Sequence, residues 1–182
     1  IVIPAFNEGR WIEETVKSVL ATASGYEVEV ILIDDGSTDD GFDFVNGRSG
    51  DARVQLIRGT GLGVARARAT GADAASGVKL IFLDAHVTPS AEWLTYLDEL
   101  LADPSIGLAG ATITSLSDNG AKGNIYTVAG PDLAPGWHYR DCSEPFESPA
   151  IAGACMACRA EWYRACGGFD PGFRHYGREE IE

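Results

Sequence analysis

Asp84 and His86 stand two positions apart, directly after the apolar run Lys79-Leu80-Ile81-Phe82-Leu83. Residues two apart in extended backbone point the same way, so one carboxylate and one imidazole could reach a single cation. The same tripeptide also suits an Asp84 that caps a following helix, with His86 in an ordinary loop. Two other apolar runs end in comparable chemistry: Ile1-Val2-Ile3 leads to Asn7-Glu8, and Val28-Glu29-Val30-Ile31-Leu32-Ile33 leads to Asp34-Asp35. Arg66 and Arg68 fall near the start of a helical stretch, where a cation gains nothing from the helix dipole; an arginine there is expected to face an anion.

These groups need elements to hold them. A run of four or five apolar residues between Gly77 and Pro89 is too short for a helical stripe and reads as a buried strand. Strands are likewise expected at 1–3, 28–33 and 54–57, and helices on the spacing of Ile12, Val16, Val19 and Leu20, over about 64–75, and on Trp93, Leu94, Leu97, Leu100 and Leu101. Asn7 is the expected cap of the first helix and Thr88-Pro89 of the third. The segment Gly59-Thr60-Gly61-Leu62-Gly63 looks superficially like a dinucleotide-binding fingerprint. Its spacing differs and the first strand carries no such loop, so that reading is rejected. A further strand is expected over 106–113, then an irregular stretch from Ser115 to Pro149 whose one aromatic cluster is Trp137-His138-Tyr139-Arg140. A small-residue strand over 150–158 and a short helix over 160–166, stopped by Gly167-Gly168, complete the pattern. The β-α alternation predicts an α/β fold with a parallel sheet, and ligands bind such sheets outside the carboxyl ends of the strands. Neighbouring strands would therefore bring the three polar ends to one rim.

The 182 residues fit one domain, and 45% hydrophobic residues suffice for a packed core. A net charge of -13 argues against nucleic acid or an anionic membrane surface as the main partner, since both demand basic patches. No apolar run approaches the roughly 20 residues of a membrane span, and no stretch of these residues reads as a signal peptide. The chain begins on a strand without Met and stops at Ile181-Glu182, as expected of an excised domain lacking both flanks. The four cysteines, Cys142, Cys155, Cys158 and Cys166, include a lone Cys-x-x-Cys pair in an apolar stretch; buried free thiols in a reducing compartment are expected. The setting this suggests is the cytoplasm or the cytoplasmic face of a membrane.

Taken in order, Ile3-Pro4-Ala5-Phe6-Asn7-Glu8, Asp34-Asp35-Gly36-Ser37-Thr38-Asp39, Arg66-Ala67-Arg68 and Leu83-Asp84-Ala85-His86 resemble the nucleotide-sugar glycosyltransferases of family 2. The closest echo is to the polypeptide N-acetylgalactosaminyltransferases, through Gly61-Leu62 with Arg66-Ala67-Arg68, Phe82-Leu83-Asp84-Ala85-His86 and Gly168-Phe169-Asp170-Pro171-Gly172. The resemblance covers nearly the whole chain except 115–149. It implies a single GT-A (Rossmann-like) domain, a mixed, mostly parallel sheet flanked by helices, with 1–114 as nucleotide-binding half and 115–182 as acceptor-side half.

For the site, the resemblance implies that Pro4, Ala5, Phe6, Glu8 and Asp35 hold the uracil and ribose of a UDP-linked donor, and that Arg68 pairs with the donor. Asp84 and His86 would ligate Mn²⁺ or Mg²⁺ bridging the diphosphate; the imidazole tilts the choice toward Mn²⁺. Ala152-Gly153 would let backbone approach the donor sugar, although small residues there equally permit close strand packing. Glu180 would be the general base and Glu179 a positioning residue; the same pair also suits a solvated helix start. Two departures stand out. The N-acetylgalactosaminyltransferases, which retain anomeric configuration, carry Asn where this chain has Glu180, so inversion is expected here. Their further metal-ligating histidine comes from beyond the end of this chain, and His138 and His175 are expected on the surface or in the acceptor site. Trp137 to Arg140 would help build the acceptor face, unless Trp137 instead plugs the core. The implied activity is metal-dependent sugar transfer to the hydroxyl of an unknown glycan, lipid or protein. The alternatives are a non-catalytic nucleotide-sugar-binding module, a retaining enzyme of the N-acetylgalactosaminyltransferase kind and, last, a nucleotidyltransferase, whose phosphate-cradling loop the turn Pro4 to Glu8 does not resemble.

Overall fold

The apolar runs at strand spacing become strands because each alternates its side chains between two helical layers. The computed structural model describes residues 1–46, 51–61, 63–115, 119–129, 134–170 and 172. In chain order its first half runs β1 (Val2–Ala5), α1 (Ile12–Thr22), β2 (Val30–Asp34), α2 (Asp43–Asn46), β3 (Val54–Arg58), α3 (Val64–Ala74), β4 (Lys79–Leu83) and α4 (Trp93–Ala102). The remainder is β5 (Leu108–Gly110), β6 (Ile113–Thr114), β7 (Lys122–Gly123), β8 (Ile125–Ala129), β9 (Ala134–His138), β10 (Cys155–Arg159) and α5 (Ala160–Cys166).

Six strands form one sheet in the order β3-β2-β1-β4-β10-β5. β1, β2, β3 and β4 pair in parallel, while β10 lies antiparallel between β4 and β5. The sheet is mixed and mostly parallel, as expected. Ile3, Leu32, Ile81 and Leu83 pack with Ile12, Val16 and Val19 of α1 and Trp93, Leu94 and Leu97 of α4. Their neighbours Val2, Ile31, Ile33, Leu80 and Phe82 face the other way, onto Ala67 and Ala72 of α3 and Ala160 of α5. Each fully buried Ile or Leu contributes about 1.5–3 kcal/mol through lost apolar exposure. α3 comes close to the sheet at Gly71, where a Cβ would lie 2.3 Å from Val2 Cγ1. With helices on opposite faces, the strand order reverses direction between β1 and β4, the place where sheets of this kind bind ligands outside the carboxyl ends of their strands.

Several expected boundaries move. α1 begins at Ile12, with Trp11 at its cap position and no side-chain cap, so Asn7 does not cap it. Asn7 instead takes φ 56°, a left-handed turn that Asn tolerates better than most residues. α4 begins at Trp93 after Glu92, beyond Thr88-Pro89. The strand expected over 106–113 is broken into β5 and β6, and the one over 150–158 shortens to β10. The stretch expected to be irregular holds β7 and the antiparallel β8–β9 hairpin. Pro135 and Gly136 make β9 read as loop, yet Trp137 packs edge-on to Tyr126 with ring centroids 5.5 Å apart. Trp137 is 49% exposed and therefore does not plug the core. All four cysteines are free; Cys155 and Cys158 of the Cys-x-x-Cys pair are buried, as expected, while Cys142 and Cys166 are exposed. Burial pushes the Cys155 thiol up to about 12 and Cys158 to about 11, so both remain protonated at neutral pH. No helix among the described residues is long and apolar enough to cross a membrane.

Candidate functional site

The turn after β1 and the turn after β2 are stitched together by short polar side chains. The Asn7 N–H donates to Ser37 Oγ at 3.0 Å, and the Thr38 N–H returns to Asn7 Oδ1 at 2.8 Å. Asp39 accepts from the Gly9 N–H at 2.9 Å. Glycine is required at this crossing, since a Cβ on Gly41 would lie 2.5 Å from Gly9 Cα. Ala5 O accepts from the Asp35 N–H at 2.9 Å, which sets the two strand ends side by side. Beyond them Phe6 is 57% exposed.

Asp34 and Asp35 are both buried and serve different partners. Asp34 accepts from the Ser37 N–H at 2.8 Å and pairs with Arg58 at 2.5 Å. Asp35 accepts from the Gly61 N–H at 3.1 Å and from the Gly63 N–H at 2.7 Å, immediately before α3. A carboxylate at a helix N-terminus is favoured by the dipole and satisfies amides that the helix itself leaves open. Asp35 thus pins the glycine segment that delivers α3.

From α3, Arg68 reaches the end of β4. Its side chain is fully buried; Nη2 donates to Asp84 Oδ1 at 3.1 Å and to Gly153 O at 3.0 Å, and the guanidinium lies 5.7 Å from the Phe169 ring centre. The anion expected to face an early-helix arginine is therefore a protein carboxylate. A buried guanidinium is tolerable only with such partners, because desolvating an ion costs several kcal/mol. The Asp84 N–H also donates to Ala154 O at 3.2 Å. The Ala152-Gly153-Ala154 loop consequently runs beside Asp84.

His86 sits on the other side of Ala85. Its Nδ1 is 3.3 Å from Glu8 Oε1, which joins the ends of β1 and β4. Ala85 O accepts from Thr15 Oγ1 at 2.8 Å, and Thr15 is buried in α1. Thr15 and Arg58 are structural members of this rim absent from the sequence reading. Thr15 had a signal: a hydroxyl among Ile12, Val16 and Val19 on an apolar helix face needs a buried partner.

The residues present fit a divalent cation in part. Asp84 uses Oδ1 on Arg68 and His86 uses Nδ1 on Glu8, so the ligating atoms would be Asp84 Oδ2 and His86 Nε2. No group of three His, Cys, Asp or Glu suited to a metal occurs among the described residues. Two protein donors suit an ion that also takes oxygens from a bound diphosphate and water. His138 contacts Thr127 Oγ1 on the hairpin at 3.2 Å. His175, Glu179 and Glu180 lie outside the described residues.

With this geometry in place, comparisons with known proteins carry weight. The family model described as "Glycosyl transferase family 2" matches residues 1–167. Polypeptide N-acetylgalactosaminyltransferase 10 of Rattus norvegicus is 30% identical over 206 residues, covering 100% of this chain and 33% of that relative. The chain thus spans about a third of the length of that curated relative. The crystal structure of GalNAc-T7 with UDP, GalNAc and Mn²⁺ superposes with a TM-score of 0.76 at 25% identity, covering 99% of this chain and 38% of that one. The mannosyltransferase PcManGT from Pyrobaculum calidifontis, in complex with GDP-Man and Mn²⁺, shares the fold with a TM-score of 0.67 at 21% identity, over 94% of this chain and 47% of that one.

Proposed function

This chain belongs to glycosyltransferase family 2, and from that premise we propose that it moves a sugar from a UDP-linked donor to an acceptor hydroxyl with the help of Mn²⁺ or Mg²⁺. The observation that carries this reading is the meeting of Arg68, Asp84 and Gly153 beside the Glu8 and His86 contact, at the strand ends where the sheet reverses. Support also comes from GalNAc-T7, crystallised with UDP, GalNAc and Mn²⁺.

In this account Pro4, Ala5 and Phe6 border the nucleotide, the exposed Phe6 ring offering an apolar face to the base. Asp35 shapes the adjoining wall through the Gly61 and Gly63 amides. Asp84 and His86 would hold the cation, which when bound would supply positive charge to offset that of a departing diphosphate. Arg68 keeps the Asp84 carboxylate and the Gly153 carbonyl in a fixed relation. Glu180 takes the proton of the acceptor hydroxyl, with Glu179 positioning it, and a carboxylate in that role fits inversion at the anomeric carbon. The exposed rings of Trp137 and Tyr139 form part of the acceptor face. Free thiols fit the cytoplasm or the cytoplasmic face of a membrane.

Thermal melting with nucleotide sugars, with and without Mn²⁺, tests the donor. A UDP-sugar at about 100 times its dissociation constant is expected to stabilise the fold by about 2.7 kcal/mol. Asp84→Asn removes that stabilisation. Melting shifted by NAD or ATP and by no UDP compound rules the proposal out. Turnover is the second readout: Glu180→Gln lowers it about 10²- to 10⁴-fold while UDP affinity stays. A chain that binds UDP-sugar but neither hydrolyses nor transfers it is a binding module instead.

A further inference from the structure

The contact between Glu8 and His86 has a chemical direction. An ionised carboxylate can only accept a hydrogen bond, so a bond across the 3.3 Å between Glu8 Oε1 and His86 Nδ1 puts the ring hydrogen on Nδ1. The lone pair of the neutral ring is then on Nε2. The hydrogen bond made by one nitrogen decides which face of the neutral ring can bind a cation.

Both ends of the contact are anchored independently of it. Glu8 O accepts from the Trp11 and Ile12 N–H groups at 2.7 and 3.0 Å, which fastens the Glu8 backbone to the start of α1. On either side, Asn7 is tied to Ser37 and Thr38, and Gly9 to Asp39. On the His86 side, the preceding carbonyl of Ala85 is held by the buried Thr15 hydroxyl, and the Asp84 amide by Ala154 O. Two backbone segments 78 positions apart are thus each fixed by their own neighbours, with the carboxylate and the imidazole meeting between them. Glu8 is also only partly exposed, at 28% of its side chain, where a solvated acid would be largely free.

We propose that Glu8 is a positioning residue that holds His86 as its Nδ1–H tautomer and so presents Nε2 to a divalent cation. This assigns Glu8 a job different from nucleotide contact, and its cation-binding consequence rests on the proposed function. Glu8 touches neither substrate nor metal; it acts through His86. Partners of this kind change metal affinity by about 10- to 100-fold when removed.

The test uses the whole chain and two readouts. Long-range ¹H–¹⁵N correlation in alkaline buffer, where imidazole is neutral, reports the His86 tautomer without metal or activity. Mn²⁺ affinity in the presence of UDP is read from the electron paramagnetic resonance of the free ion. The unsubstituted chain is expected to show the Nδ1–H form. Glu8→Ala should shift the ring toward a tautomer mixture and weaken Mn²⁺ binding about 10- to 100-fold. Glu8→Gln should keep most of both, because its amide oxygen still accepts from Nδ1–H. Unchanged His86 nitrogen shifts in Glu8→Ala, with a normal melting curve, overturn the role of Glu8. A shifted tautomer in a protein that never bound Mn²⁺ instead upholds the Glu8 contact and removes the cation from the proposed function.

Discussion

The sheet rim and the β8–β9 hairpin are held together by opposite means. At the rim, side chains find partners far away in sequence: Thr15 reaches Ala85 across 70 positions, Glu8 reaches His86 across 78 and Arg68 reaches Gly153 across 85. In the hairpin, Thr127 bonds Gly136 only 9 positions on, and Asn124 bonds Arg140 across 16. The rim's central side chain, Arg68, is fully buried, whereas Trp137 and Tyr139 keep nearly half of their surface in water. A rim braced from several elements meets charge with groups already in place, which suits a diphosphate. A locally built ribbon with exposed rings suits a more variable partner, such as an acceptor.

Arg68→Met is the harshest way to break this comparison. It leaves Asp84 without its buried cation, and urea unfolding should show a loss of about 3–5 kcal/mol. A loss below about 1 kcal/mol would mean that the rim is not braced through Arg68. Thr15→Val is milder and sharper, since it keeps the shape of the side chain and strips only the hydroxyl from Ala85 O. An unfolding cost of about 1–3 kcal/mol is expected, together with weaker Mn²⁺-dependent UDP binding. The smallest effect belongs to Trp137→Ala on the hairpin. Stability should fall by about 0.5–1.5 kcal/mol from the lost packing on Tyr126, with the acceptor KM raised and UDP affinity unchanged. If UDP affinity dropped with it, the two regions would not be the separate devices described here.

Much of the rim was legible beforehand because its chemistry follows strand ends. Asn7-Glu8, Asp34-Asp35 and Asp84-Ala85-His86 each terminate an apolar run, and a parallel sheet puts those ends on one side. The partners were harder to read. Arg68 was expected to face an anion, yet nothing local says that the anion is Asp84 or that Gly153 shares the guanidinium. Asn7 has the composition of a helix cap, but Ser37 and Thr38 compete for it, and the helix starts four residues after Glu8. Thr88-Pro89 misled in the same way, carrying a cap signal ahead of a helix that begins at Trp93. β9 escaped notice because Pro135 and Gly136 weaken its local preference, and pairing with β8 overrides it.

The sequence by itself determined the α/β class, the buried parallel strands and the polar residues at their ends, because apolar periodicity is written locally and each strand must bury both faces. Only the tertiary structure decided which polar group meets which. Glu8 with His86, Arg68 with Asp84 and Gly153, and Asp35 with the Gly61 and Gly63 amides are bonds between segments that share no local pattern. They exist because packing both helical layers onto one sheet brings these distant segments together, where the buried groups among them need partners.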